Sequence, residues 1–413
     1  MFGRKSLRRD LTGIRYEAVP HNVVRTGSAL VLLGLVPACA GRQLAPEGFQ
    51  PAPPPTAIAS LPAGQGVVDA TLFLIGDAGL PEAGLPVLEA LTDQAAHAEG
   101  DVAIVFLGDN LYERGLPPVG DDRRERGEAR LQILIDVARK AGVHGVFTPG
   151  NHDWDGEGED GWRAIVDQQQ FIDGLQLDSI SFLPKGGCPG PEVLDLGHSL
   201  RVVILDTQWW LHEGPKPSPE NSECVPATEA GVLVGLDRAL GGAGDRQTVI
   251  AAHHPFDSGG PHGGYFDWRD HFFPLRRVSG PLGWLPIPGF GSFFVLARSV
   301  WKPRQDLANR HYRAMIEAIE SVAQRHEVVA SAGGHDHSLQ VLRSQATRYV
   351  LVSGTGPSTG LTASASKENT LFVTSRWGFM RLDVLESGRV RLRVYGQDSG
   401  GIMREVYWRW LAN

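Results

Sequence analysis

From about position 70 onward, short apolar runs alternate with stretches whose apolar residues recur at helical spacing. Runs at 70–75, 102–107, 146–148, 200–207, 248–252 and 328–332 have the length and β-prone composition of buried strands. Between them, 82–98, 123–141, 227–240 and 307–324 read as helices, the second with Leu131, Leu134, Ile135, Val137 and Ala138 on one face. A β-α-β-α-β succession of this kind predicts a doubly wound half in which parallel strands are covered by their crossover helices. After 337 the chain changes to short strands, at 338–342, 348–353, 371–374, 377–384 and 389–395. The pattern is absent at 40–69, where Pro51-Ala52-Pro53-Pro54-Pro55 sits in an extended tether. It is broken again over 267–304, where 282–296 is apolar but too interrupted by Pro and Gly for a membrane-spanning helix. That insertion has three possible places: over a site mouth, on a bilayer, or packed on the core.

Five runs end in residues that can bind a cation. They lead into Gly76-Asp77-Ala78-Gly79, Gly108-Asp109-Asn110-Leu111-Tyr112, Gly150-Asn151-His152-Asp153, His253-His254-Pro255 and Gly334-His335-Asp336-His337. One strand ending in Gly-Asp-Asn is an ordinary turn. A set of five, each placing an oxygen or imidazole donor beyond a strand end, lies where open α/β sheets bind ligands and points to a metal site.

Taken in order, these motifs resemble the calcineurin-like metallophosphoesterases. Asp77-Ala78-Gly79 stands where the wider superfamily has Asp-x-His, and Tyr112 follows Asp109 by three residues. This pairing is similar to the purple acid phosphatase branch, which holds a ferric ion through a tyrosinate. The resemblance runs from Ala70 to Gly396 and takes in Leu205-Asp206-Thr207, Ser353-Gly354-Thr355-Gly356 and Trp377-Gly378-Phe379-Met380. It implies an α/β fold of four layers, α/β/β/α, built on two mixed sheets.

It also implies two metal ions. Asp77, Asp109, Tyr112 and His337 would hold the first, and Asp109, Asn151, His253 and His335 the second, with Asp109 bridging. His253 is preferred to His254 for its spacing to Pro255. Carboxylates and a phenolate suit Fe(III), while imidazoles and an amide oxygen suit Zn, Mn or Fe(II). A phenol titrates near ~10, so only a strongly Lewis-acidic cation keeps it deprotonated. The implied reaction is hydrolysis of a phosphate ester by a hydroxide held between the cations. His152 would face the leaving group as proton donor, and Asp153 would either orient it or cap the following loop. His254 and His262 would belong to the substrate pocket, the alternative for His262 being a loop histidine without a role.

Composition narrows the setting. A net charge of −8 and a pI near 6.0 argue against nucleic acid as partner. The segment 26–39 is short and apolar, follows Arg25 and ends in Val36-Pro37-Ala38-Cys39, so it reads as an export signal. Those last residues resemble a bacterial lipobox, which would lipidate Cys39 and tether the protein to a membrane, in a periplasmic setting. Pro37 departs from the usual lipobox residue, and a cleaved signal or an uncleaved anchor are the alternatives. In an oxidising compartment Cys188 and Cys224 would form a disulfide; two free thiols is the other reading.

The expected layout is thus an export segment at 1–39, a tether at 40–69 and one domain at 70–413. The expected activity is a bimetal phosphomonoesterase acting on a phosphorylated small molecule. Two alternatives remain open at this point. One is a Mn or Zn phosphodiesterase or nucleotidase of the same superfamily. The other is a catalytically silent lipoprotein that binds a partner or membrane through its aromatic insertion.

Overall fold

The computed structural model describes residues 66–266 and 300–412, together with 272, 273, 287, 292, 293 and 298. The expected export segment with Cys39, the tether up to 65 and most of the insertion at 267–304 lie outside the described residues.

The first half alternates strands and helices: β1 (Val68–Ile75), α1 (Pro86–Ala96), β2 (Asp101–Phe106), α2 (Arg124–Ala141), β3 (His144–Phe147), α3 (Gly161–Gly174) and β4 (Ile180–Phe182). Next come β5 (Glu192–Leu196), β6 (Leu200–Ile204), α4 (Thr207–Leu211), α5 (Glu229–Gly241), β7 (Gln247–Ala251), α6 (Arg310–Ala323) and β8 (Val328–Gly333). Six strands close the chain: β9 (Leu339–Arg343), β10 (Tyr349–Ser353), β11 (Thr370–Thr374), β12 (Gly378–Leu385), β13 (Val390–Gln397) and β14 (Met403–Ala412). They form two mixed seven-stranded sheets, ordered β14-β13-β12-β1-β2-β3-β4 and β11-β9-β10-β8-β7-β6-β5. Strands β1 to β4 are parallel in the first sheet, and β6, β7, β8 and β10 are parallel in the second.

Side-chain alternation turns these sheets into four layers. Along β1, Leu72 and Leu74 join Ala103 and Val105 of β2, and Val202 and Val249 of the other sheet, in a core between the sheets. The intervening Phe73, Ile75, Ile104 and Phe106 pack with Leu88, Leu91, Leu131 and Leu134 of α1 and α2. Val203 and Ile250 likewise join the helix-side core that holds Leu236 of α5 and Ile319 of α6. Strands buried on both faces must be apolar at every position, which is why they read as continuous runs. Each fully buried Leu, Ile or Phe contributes roughly 1.5–3 kcal/mol through the area it removes from water.

Element boundaries follow local chemistry. Helix α1 begins at 86 rather than 82 because Pro86 occupies its first position, where the missing N–H has no role. Helix α2 ends at Gly142, whose φ of 71° closes the last turn in the left-handed region. The run expected to continue to 207 stops at Ile204: the Asp206 carboxylate accepts the Trp209 amide at 3.0 Å and starts α4 instead. Helix α3 and strands β4, β5 and β14 were not expected from the pattern.

Candidate metal centre

All five motifs leave parallel strands at the same edge. Asp77 follows β1, Asp109 follows β2, Asn151 follows β3, His253 follows β7 and His335 follows β8. Three of these residues are in the left-handed region, at φ 57° for Asp77, 54° for Asp109 and 67° for His335. Non-glycine residues hold that conformation at about 1–3 kcal/mol each, and such strain gathers at functional sites. Glycines let the turns close on one another. A Cβ on Gly150 would lie 2.3 Å from Asp109 Oδ1, and one on Gly334 would lie 2.4 Å from Asp77 Oδ2.

One group of donors centres on Asn151. The His253 Nδ1–H donates to the Leu107 carbonyl at 2.8 Å, which turns a bare Nε2 toward the centre. The His335 Nε2–H donates to the Gln305 carbonyl at 2.8 Å, which turns a bare Nδ1 the same way. These two nitrogens are 3.2 Å apart, and each also faces Asn151 Oδ1, at 3.0 Å and 3.1 Å. Asp109 Oδ1 is 3.5 Å from His253 Nε2. A second group centres on the Tyr112 hydroxyl, which is 3.0 Å from Asp77 Oδ1, 3.1 Å from Asp109 Oδ2 and 3.2 Å from His337 Nε2. Here too a backbone carbonyl sets the ring, because His337 Nδ1–H donates to Gly360 at 2.6 Å.

Both groups therefore have more lone pairs than protons. In the first, the neutral tautomers set by Leu107 and Gln305 turn the lone pairs of His253 Nε2 and His335 Nδ1 toward Asn151 Oδ1. Although burial lowers the His253 pKa, Asp109 and Asp77 raise it, drawing a proton to the same place. In the second, the phenolic proton and the one that Asp77 draws to His337 are shared among two carboxylate oxygens and the phenol oxygen. Close, buried acceptors repel unless a cation lies among them. Asp109 contributes one oxygen to each group, so the donors fit two cations that share it. Among the described residues, one ligand atom each of Asp77, Asp109 and His253 lie within 4.8 Å of one another, all buried.

The electrostatics agree. Burial penalises ionised Asp109, but His253 and His152 outweigh that and hold its carboxyl below the usual range. Burial lowers the His335 pKa well below 6.5, which keeps the ring neutral and able to ligate. Burial lowers His337 as well, yet Asp77 reverses this and raises it to about 9: a proton is drawn to a place a cation can take. The Tyr112 phenol is pushed well above 10 by burial and by Asp109 and Asp77.

The other residues singled out by sequence sit around this centre. His152 bounds a cavity of about 310 Å³ shared with Asp109, Asn151, His262, His335 and Thr362. Its Nδ1–H donates to the Glu113 carbonyl at 2.6 Å, and its Nε2 lies 3.9 Å from Asp109 Oδ2. Asp153 takes neither role expected of it: the amides its side chain accepts belong to the residues before it and to the β2 exit, not to the loop that follows. Its fully buried carboxylate accepts the amides of Gly150 at 2.8 Å and of Asn110 and Leu111 at 3.1 Å, binding the β2 and β3 exit loops together without contacting His152. His262 lies on the cavity wall, its ring centroid 3.9 Å from that of His335 and its Nδ1 2.9 Å from Asp306 Oδ1.

His254 is placed differently from the pocket position expected of it. It is fully buried, its Nδ1 accepts the Thr207 hydroxyl at 2.8 Å and its Nε2–H donates to Gln305 Oε1 at 2.7 Å. Both its nitrogens are engaged, whereas the neighbouring His253 uses only Nδ1 on a backbone carbonyl. Cys188 and Cys224 are joined in a disulfide. Gln305, at the end of the insertion, touches three of the imidazoles and carries no sequence motif.

No protein-family model and no curated protein sequence matches this chain. Among solved structures it is similar to GAP50, the anchor in the inner membrane complex of Plasmodium, at 15% identity over 84% of this chain and 89% of that one, with a TM-score of 0.49. A purple acid phosphatase from yellow lupin seeds is similar at 15% identity over 84% of this chain and 54% of its own, with a TM-score of 0.46. Vps29 from Entamoeba histolytica is similar at 12% identity over 83% and 99%, with a TM-score of 0.28.

Proposed function

We propose that this protein is a bimetal phosphoesterase of purple acid phosphatase type that hydrolyses phosphate monoesters outside the cytoplasm. The observation that carries the reading is the pair of proton-deficient donor groups sharing Asp109. The ordered motifs at the strand ends support it. Asp77, Asp109, Tyr112 and His337 would hold Fe(III), and Asp109, Asn151, His253 and His335 would hold Zn, Mn or Fe(II). Bound there, the cations activate water and neutralise charge on the phosphoryl oxygens.

The chain's own groups supply the rest. The Glu113 carbonyl occupies His152 Nδ1–H, so a proton taken up by this ring resides on Nε2, on the cavity side. From there it can pass to the departing ester oxygen. His262, steadied by Asp306, lines the same cavity and would orient the ester. Burial, with Asp109 and Asp77, keeps the Tyr112 phenol protonated, so holding it as a phenolate would take a cation as acidic as ferric iron. The disulfide fits an exported protein, and Cys39 would provide its lipid tether.

The test is metal analysis of the purified protein, with hydrolysis of p-nitrophenyl phosphate compared with its diester. Two metals, one of them iron, with a broad visible band and a monoester preference are expected. Tyr112→Phe should lose the band and bind iron less tightly. A colourless, fully active protein holding only Zn or Mn would move the assignment to the wider superfamily. Absence of both metal and activity would leave a silent binding protein.

A further inference from the structure

Gln305, which no sequence motif singled out, joins three imidazoles of the centre from the end of the insertion. Its backbone carbonyl accepts His335 Nε2–H at 2.8 Å and His262 Nδ1–H at 2.9 Å. Its side-chain oxygen accepts His254 Nε2–H at 2.7 Å, while its amide nitrogen donates to Glu157 Oε1 at 2.6 Å and Gln208 Oε1 at 3.0 Å. One residue thereby ties three imidazoles to the loop after β3 and to α4. The backbone contact has a chemical consequence, because an acceptor on Nε2 obliges neutral His335 to present Nδ1 as its lone pair. Metal-ligating histidines are set in this way by the group on the far ring nitrogen.

We propose that Gln305 is the positioning residue of the Asn151-His253-His335 half of the centre and sets its affinity for a divalent cation. The inference rests on the two-cation reading. The side chain is the part that fixes the carbonyl, because its three polar contacts anchor the residue whose peptide His335 uses. None of these hydrogen bonds reaches Asp77, Tyr112 or His337, so its effect falls on one half only. Asp306 extends the arrangement, accepting from His262 at 2.9 Å and from Arg298 Nε at 2.8 Å.

The experiment is a titration of the metal-free protein with zinc(II) against a competing chelator, the two binding steps being assigned with His335→Ala and His337→Ala. Gln305→Leu, which keeps the side chain's bulk and removes its polar ends, should weaken the His335 step by about 10–100-fold and leave the His337 step unchanged. Glu157→Ala, which removes one contact of the same amide from a loop position, should weaken the same step by less. The split between steps separates positioning from a general loss of structure, which would move both. Equal weakening of both steps, or none in either variant, would overturn the role given to Gln305. Failure of the wild-type protein to bind zinc would overturn the two-cation reading itself.

Discussion

Replacing Asp206 by asparagine tests how the support behind the centre is built. Asp206 is fully buried at the exit of β6. One of its oxygens accepts the Trp209 amide at 3.0 Å and the other accepts the Trp154 indole at 2.9 Å, which joins α4 to the loop carrying His152. Burial raises its carboxyl to about 7 from an ordinary 3.8, and the charge of Asp153 adds to this against the Trp209 and Trp154 bonds. Between those values the unfolded chain has released a proton that the folded protein keeps. Stability therefore falls as pH rises through this window and is flat on either side of it. A window about three pH units wide, at ~1.4 kcal/mol per unit, amounts to about 4 kcal/mol.

Asparagine does not titrate, and it presents one oxygen where the carboxylate presents two. The lost acceptor costs about 1–3 kcal/mol at every pH. Asp206→Asn should thus be the less stable protein near pH 4 and the equal or more stable one near pH 8. Urea unfolding of the metal-free proteins, followed by tryptophan fluorescence across that range, measures the gap directly. A gap that stays constant with pH would mean that folded Asp206 is already ionised in acid, and the argument from burial would fall.

Asp109→Ala should lose both metals together, since each donor group takes one of its oxygens; retention of either in stoichiometric amount, by metal analysis, would contradict the shared role. His152→Ala should keep its metals and lose about 10²–10⁴-fold in rate on alkyl phosphates, with a smaller loss on p-nitrophenyl phosphate, whose leaving group needs little protonation. Gly150→Ala should abolish metal binding, because the new Cβ would fall 2.3 Å from Asp109 Oδ1; normal metal content would show that the two exit loops can separate. Cys39→Ser should leave the membrane fraction with unchanged specific activity, and continued membrane association would shift the anchor to an uncleaved signal or to the 267–304 insertion.

The architecture was legible wherever burial on two faces made a strand apolar throughout. Runs around Phe73, Val105, Val203, Ile250 and Ala330 are of this kind. Strand β14 escaped notice because it is a sheet edge. Its Arg404 and Glu405 pair with Asp398 and Arg393, and Trp410 lies under Arg389, so its polar members are as much a part of the structure as its apolar ones. Helix α4, which begins where the expected strand 200–207 ends, carried no signal because the Asp206 cap acts through an amide three residues on rather than through hydrophobic spacing.

The same division runs through the centre. The chain by itself determined which atoms are available: carboxylates, imidazoles, an amide and a phenol, each next to the strand that delivers it. Ligand type is local chemistry, and the turn that exposes a ligand is local too. Only the tertiary structure decided which ring nitrogen faces inward, because the carbonyls that fix the rings of His253, His335 and His337 belong to Leu107, Gln305 and Gly360, lying 146, 30 and 23 residues away. It also decided between neighbours of equal chemistry. His253 and His254 are adjacent imidazoles, and they part because Thr207 and Gln305 satisfy both nitrogens of one while Leu107 takes a single proton from the other. Asp153 binds loops rather than orienting His152 for the same reason: its four N–H partners come from two strand exits brought together only when β2 pairs with β3. A donor's identity belongs to the residue, but its role depends on acceptors and donors that only the folded topology brings within 3 Å.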